Sequence, residues 1–490
     1  MLFNSIQFLI FFPVVTFLYF SLPHKYRWFM LLMASCYFYM SFIPVYILIL
    51  FFTTTIDYIA AILIEDASGR KRKLYITLSL ISNIGVLAFF KYYNFFVENI
   101  NYFFSLINIE HSASYLSIIL PIGLSFHTFQ AMSYTIEVYK GNQKAERHYG
   151  IFALYVMFYP QLVAGPIERP QNLIAQFYEK HYFDYDRVID GLKLMLWGLF
   201  KKTVIADRLT LFVDQVYSNP QNYEGISLII ATIFFAFQIY CDFSGYSDIA
   251  IGSAQVMGFK LMTNFNRPYF SKSISEFWKR WHISLSTWFK DYLYISLGGS
   301  RVGKYRLYFN LFVTFLVSGF WHGANWTYII WGGLNGFYLI FSILTSDIRK
   351  KIAHLTGISN YPRIHNYYQI LITFSLTCFA WVFFRAESIT DAVYIITHMF
   401  TGLEKIPLYL SDVDYFKQYL ALGQRKWEFL LAVLSIVALE TVHLIQRKNR
   451  LREFIKSKPV YIRWSIYYGT IMVILIFGVF SNQKFIYFQF

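Results

Sequence analysis

The sequence predicts an all-α polytopic membrane protein with about ten to twelve crossings. Three observations carry that expectation. The 490 residues are 57% hydrophobic and 21% aromatic but only 14% charged, outside the range of soluble globular chains. Apolar runs recur along the chain, and several reach the ~20 residues that a spanning helix needs. The basic residues concentrate in the loops between those runs.

Taken in order, the apolar runs lie near 5–21, 28–42, 45–64, 74–93, 116–136, 226–241, 309–344, 366–384, 427–445 and 464–480. Residues 5–21 follow no positive charge and precede no small-residue cleavage site, so they are expected to stay as the first membrane helix. The run 309–344 is long enough for two passes, with His322 near the turn. The chain is expected to form a single membrane-embedded domain over 1–490. Residues 1–140 supply conventional N-terminal spans, 141–345 a middle part, and 346–490 the C-terminal spans. Within the middle part, 141–305 mixes short apolar pieces with frequent charges, among them Glu168-Arg169, Lys201-Lys202, Asp207-Arg208, Asp242 and Asp248. Such a region suits re-entrant and interfacial helices around a wet cavity.

The formal charge of +15 is not the signature of a nucleic-acid partner. The cations gather in His24-Lys25-Tyr26-Arg27, Arg70-Lys71-Arg72-Lys73, Arg349-Lys350-Lys351 and Arg447 to Lys458, while 94–115 contains no Lys or Arg. Positively charged loops are retained in the cytoplasm. The amino terminus, 94–115, 385–426 and the carboxyl terminus are therefore expected outside, in a multi-pass protein of a bacterial inner membrane. The three cysteines, Cys36, Cys241 and Cys378, form no close pair and no metal-binding or redox spacing, and read as packing residues. Walker, Gly-x-Ser-x-Gly, His-Glu-x-x-His and dinucleotide motifs are missing, which leaves histidine-based chemistry.

Two histidines stand out. His322 lies in Phe320-Trp321-His322-Gly323-Ala324-Asn325-Trp326, inside an apolar run. His282 lies forty residues upstream in Phe277-Trp278-Lys279-Arg280-Trp281-His282-Ile283-Ser284. An ionisable group at membrane depth is costly and points to a functional site, and imidazole transfers protons near neutral pH. A hydrogen bond between helices is the competing reading of either one. Trp278, Trp281, Leu285, Trp288 and Phe289 recur at helical spacing, which predicts one amphipathic helix over 275–301 with its tryptophan face at the headgroups. His282 could then face lipid or cavity. Asp242 and Asp248, in Tyr240 to Ile249, need partners. A structural ion pair is the first reading, and orienting a histidine or binding Arg280 the second. The three prolines and the glycine of Phe158 to Pro170 forbid a continuous span and predict an elbow or re-entrant element. His127 and Gln130 follow Pro121-Ile122-Gly123 as buried polar groups.

At these residues the chain resembles the membrane-bound O-acyltransferase family, in the branch of alginate and peptidoglycan O-acetyltransferases. The resemblance rests on Leu120 to Phe126, Phe158 to Ile167, Tyr240 to Asp248, Phe277 to Tyr294 and Ser318 to Trp326, in that order, and extends to Phe485-Ile486-Tyr487-Phe488. It implies a ring of helices around a thinned centre crossed by a tunnel, with residues 141–345 as the catalytic core. It implies transfer of an acetyl group from cytoplasmic acetyl-CoA toward an extracytoplasmic polysaccharide, with no bound cofactor and no metal. His322 matches the catalytic histidine, here a general base, and His282 the second polar site, lining the cytoplasmic mouth. Lys279, Arg280, Lys290 and Arg301 are candidates for the donor's charged nucleotide, Asn325 for the oxyanion, and Asp242 for substrate contact. A separate extracytoplasmic acetyltransferase or acyl-carrier protein is the expected partner. Ser296 replaces a usual proline and His127 a usual aromatic. A proton-coupled transporter or flippase using His127, Asp242, His282 and His322 is one rival reading, and a non-catalytic scaffold of a polysaccharide export complex is the other.

Overall fold

A computed structural model of the protein describes residues 1–109, 112–448, 451–480 and 485–486. Glu110, His111, Asn449 and Arg450, which belong to loops used in the charge argument, and Tyr487-Phe488 lie outside the described residues. Helices make up the regular structure of the described residues. Seven of them are long and apolar enough to cross a membrane, including 38 continuous residues from Gly69 to Leu106 and 32 from Ile226 to Met257.

The N-terminal helices are α1 (Ile6–Ser21), α2 (His24–Met40), α3 (Ile47–Asp66), α4 (Gly69–Leu87, continued through a wide turn at Ala88–Tyr92 into Tyr93–Leu106) and α5 (Leu124–Lys140). The middle part contains α6 (Tyr149–Met157), α7 (Pro170–Tyr178), α8 (Tyr185–Phe200), α9 (Asp207–Tyr217) and α10 (Ile226–Met257). Two short helices, α11 (Ile274–Arg280) and α12 (Ile283–Phe289), precede the pair α13 (Lys304–His322) and α14 (Trp326–Leu344). The chain continues through α15 (Pro362–Arg385), α16 (Lys426–Lys448) and α17 (Val460–Phe477). The run 309–344 divides into α13 and α14, with His322 closing the first, and of the two α14 is long and apolar enough to cross a membrane.

Without a hydrophobic force between helices in lipid, close association needs small residues. Two helix pairs obey this rule. On α8 and α10, Gly191 meets Gly252 and Gly198 meets Gly245, each backbone lying where the other's Cβ would be. On α13 and α14, Gly319 meets Gly332 in the same manner, and a methyl group on Gly319 would overlap the Tyr328 carbonyl. The second pair brings the C-terminus of α13 deep into the protein.

The loops sort to two ends. Arg27 donates to the His181 carbonyl, Arg72 to that of Tyr139, Arg147 pairs with Glu65 and Asp66, and Lys456 with Asp186. These contacts gather the basic clusters 24–27, 70–73 and 447–458 at one end. At the other, Trp326 donates to Asn99, Asn325 to the Glu387 carbonyl, the Gly225 amide to the His398 carbonyl, and Lys405 pairs with Glu224. The lysine- and arginine-free stretch 94–109 thus shares an end with 385–405.

One sequence expectation is corrected. Residues 275–301 are not one interfacial helix. The helix stops at Trp281, His282 takes a left-handed backbone (φ 41°, ψ 57°), and α12 begins afresh at Ile283. The break is satisfied by chain running alongside it: Ile283 donates its amide to the Asn264 carbonyl and Asn266 to that of Arg280. The tryptophan stripe faces protein, with Trp281 1% and Trp288 6% exposed. Its partners are other aromatics, Trp288 stacking on Phe129 at 3.7 Å and Trp281 meeting Trp381 at 5.1 Å. Helical spacing identified the apolar face correctly, but periodicity says nothing about whether lipid or another helix covers that face.

Candidate functional site

The site lies where two aromatic cores meet. One includes Phe126, Phe129, Phe243, Leu285 and Trp321; the other includes Trp281, Trp331, Trp381 and Phe384. His322, 5% exposed, has its ring among Trp321 (5.0 Å), Trp331 (5.0 Å) and Phe384 (5.3 Å), so both cores contribute to its surroundings. His282 is 0% exposed and lies 4.5 Å from the Phe243 ring and 6.0 Å from Phe126. Phe126 also contacts Trp321 at 5.6 Å and joins the two histidine settings. His282 and Lys91 both lie near enough to act electrostatically on His322.

A cavity of about 60 Å³ opens beside His322. Its lining runs through Leu120, Pro121, Ile122, Gly123, Leu124, Ser125 and Phe126, with Lys91, Val163, Trp321 and His322 completing the wall. Gly123 makes this wall possible. Its φ of +77° favours glycine, and a Cβ there would sit 3.0 Å from the Leu162 carbonyl of the proline-rich elbow. The elbow is broken as the prolines require, with a four-residue helix at Tyr159–Leu162 and every residue from Phe158 to Ile167 buried. A smaller cavity, about 10 Å³, also touches Phe126 and is bordered by His127, Gln130, Gln161 and Gly165 to Ile167. His127 bonds Thr53 Oγ1 at 2.6 Å.

The structure brings His282 and His322 together and leaves most other candidates elsewhere. Lys279, Lys290 and Arg301 are exposed, and Arg280 is half-buried in an ion pair with Glu276 (2.6 Å). Lys290 precedes Asp291, which pairs with Arg169 at 2.8 Å at the end of the molecule that holds Lys140. Asp242 is buried and committed: Lys202 contacts it at 2.7 Å and the Ile486 amide donates to it at 2.7 Å. It neither binds Arg280 nor orients a histidine, in agreement with the ion-pair reading. Asn325 caps α14 by accepting from the Thr327 amide (3.0 Å) and donates to the Glu387 carbonyl (3.2 Å). Both ends of its amide are engaged in structure.

Lys91 was not singled out from sequence. It lines the larger cavity and donates to the carbonyls of Trp321 (2.8 Å) and His322 (2.9 Å). The available signal was its being the single cation in the apolar run 74–93.

Comparison with known proteins gives a consistent set. Residues 148–386 match the membrane-bound O-acyltransferase family. A probable alginate O-acetylase from Pseudomonas aeruginosa is 40% identical over 404 residues, covering 82% of this chain and 75% of that protein. A peptidoglycan O-acetyltransferase from Helicobacter pylori is 38% identical over 405 residues, 77% of this chain and 74% of its own length. A teichoic acid D-alanyltransferase from Bacillus subtilis is 27% identical over 278 residues, 54% of this chain and 69% of that protein.

Proposed function

The chain belongs to the membrane-bound O-acyltransferase family, and from that premise we propose that it carries an acetyl group from cytoplasmic acetyl-CoA across the membrane toward an extracytoplasmic polysaccharide, alginate-like or another cell-surface glycan, with His322 as general base. That it is a multi-pass membrane acyltransferase follows from the family and the apolar helices. The donor, the base, the orientation and the single-domain organisation around residues 141–345 are our reading.

One observation carries it. The buried His322 ring borders a cavity whose wall, Leu120 to Phe126, begins α5, and Lys140 at the other end of α5 belongs to the basic end. Seventeen residues of helix span about 25 Å. A base placed that far from the basic end suits a donor arriving at one face and an acceptor arriving at the other. On this reading the nucleotide of acetyl-CoA stays near Lys140, Arg169 and Lys290. The thioester passes the smaller cavity at His127 and Gln130 and reaches the imidazole.

The chemistry then balances. His322 takes the proton of an acceptor hydroxyl as that oxygen attacks the thioester carbonyl. The tetrahedral intermediate collapses, the C–S bond breaks, and the imidazolium returns the proton to the departing CoA sulfur. General-base assistance of this kind is worth ~10²–10⁴ in rate. The hydroxyl belongs to the polysaccharide or to an extracytoplasmic acyl-carrying partner protein. His282, expected at the cytoplasmic mouth, is instead fully enclosed against Phe126, at the end of α5 away from Lys140. Its contribution is therefore to positioning the thioester end of the donor beside the base. The membrane is a bacterial inner membrane, with the amino terminus extracytoplasmic.

Membranes containing the protein, supplied with acetyl-labelled acetyl-CoA and an acceptor glycan, test this directly. Release of CoA with label on the glycan is expected, and a protein that translocates glycan without releasing CoA is a transporter instead. Orientation has its own test. An introduced cysteine at Tyr102 should react with an impermeant thiol reagent from outside, and one at Lys71 should not. Reversed labelling would separate the cytoplasmic donor from the basic end and remove the cross-membrane relay.

A further inference from the structure

The helix that ends in His322 has no cap of its own. Its last carbonyls lack intrahelical partners, as at every helix C-terminus. A glycine cap in the left-handed conformation commonly supplies them. Gly323 instead is extended (φ −161°, ψ 149°), so the chain leaves at once for Asn325 and α14. An unsatisfied carbonyl at membrane depth costs several kcal/mol, by general estimates of about that size.

The missing donors come from a helix more than two hundred residues away. Lys91 Nζ donates to the carbonyls of Trp321 and His322, and Tyr92 Oη to that of Phe320 at 2.9 Å. Three successive carbonyls are thereby held by two adjacent residues of α4. Successive side chains on a regular helix diverge by about 100°. Lys91 and Tyr92 close the wide turn Ala88–Tyr92, the kind of insertion found often at functional sites. The Tyr92 ring stacks on Phe320 at 4.3 Å, and the Lys91 ammonium lies 5.8 Å from the Trp321 ring. Lys91 also lines the cavity that His322 borders, so this cation belongs to the transfer site and not to a distant brace.

We propose that Lys91 is a positioning residue for acyl transfer, holding the terminal turn of α13 so that the His322 imidazole meets the cavity in reacting geometry. The proposal rests on His322 being the base. Its logic is geometric. The backbone carbonyl of His322 itself is one of the two oxygens bound, so movement of the ammonium moves the imidazole's own Cα. A displacement of about 1 Å in a reacting group costs about 10²-fold in rate.

The test uses the full-length protein in membranes, with acetyl-CoA as donor, and compares Lys91→Met, Lys91→Arg and His322→Ala. We expect Lys91→Met to lower kcat about 10²-fold while the KM for acetyl-CoA stays within about twofold, because ground-state binding is untouched. Lys91→Arg, which retains donors for both carbonyls, should recover most of that loss. A brace serving stability alone would lower the yield of folded protein and leave kcat per folded molecule unchanged. If the Met variant is not recovered from membranes, Lys91→Leu, which also lacks a donor, is read by the same two constants. Full kcat in Lys91→Met or Lys91→Leu, with His322→Ala inactive, overturns the role of Lys91 and leaves the base in place. Full activity in His322→Ala overturns the reading beneath it.

Discussion

The two histidines of the site are held by opposite devices. His322 ends a nineteen-residue helix and is pinned through its backbone by Lys91, so that its ring borders a cavity. His282 sits between two seven-residue helices, in a left-handed backbone, fully enclosed and against Phe126 and Phe243. In the first case the fold fixes the helix and the side chain follows. In the second the residue type itself permits the break, because Asn, Asp and His enter the left-handed region several-fold more readily than other non-glycine residues. The comparison teaches that a histidine at a cavity and a histidine at a chain reversal answer different demands, even when they lie close enough to influence one another.

The sharpest way to break this comparison is His322→Ala. Transfer of label from acetyl-CoA to glycan should fall by ~10²–10⁴, with insertion unchanged, and near-normal transfer would place the base elsewhere. His282 should respond in two stages. His282→Ala removes the ring and also puts a Cβ residue without a stabilising side chain into the left-handed region, at about 1–2 kcal/mol. His282→Asn keeps the backbone preference. We expect Ala to weaken the apparent affinity for acetyl-CoA and to lower the melting temperature, and Asn to restore the temperature more than the affinity. Equal donor binding and turnover in wild type and both variants would make His282 a packing residue of the aromatic seam.

Asp242 offers a contrast within the same middle part. Asp242→Asn breaks a buried contact with Lys202 and should destabilise by about 3–5 kcal/mol, less where Asp207 keeps the lysine paired. The KM for acetyl-CoA should not move in the folded fraction, and a rise there would mean that Asp242 touches substrate. The smallest effect belongs to Asn325→Ala. Loss of an N-cap costs about 1 kcal/mol and should leave kcat within a few-fold of wild type, by the same order of magnitude. A hundredfold fall, the size expected for about one lost oxyanion donor, would return Asn325 to the chemistry.

Much of this was legible in the sequence because it depends on local pattern. Apolar runs, the loop charges and the prolines of 158–170 prescribe helices, breaks and the grouping of basic loops at one end. His282 and His322 stand out because ionisable groups in apolar surroundings are rare. Their juxtaposition through Phe126 and Trp321 required the fold, since forty residues of sequence separation carry no distance.

Other features could be decided only by tertiary structure. The tryptophan stripe of 278–289 has the spacing of an interfacial helix, but Phe129 and Trp381 cover it, and a covered face has the same period as a lipid-facing one. Asn325 and Asp242 carry the atoms that chemistry needs, but hydrogen bonds from α14 and Lys202 had already engaged them. Lys91 looked like one stray cation in a span. It became the partner of the catalytic candidate because the glycine contacts of α13 with α14 set the end of α13 beside the wide turn of α4. The sequence determined which segments are helical, which are interrupted and where charge is tolerated, because those depend on neighbours along the chain. The tertiary structure alone decided which polar groups are engaged and which border a cavity, because a hydrogen bond depends on an atom within about 3 Å regardless of how far along the chain it lies.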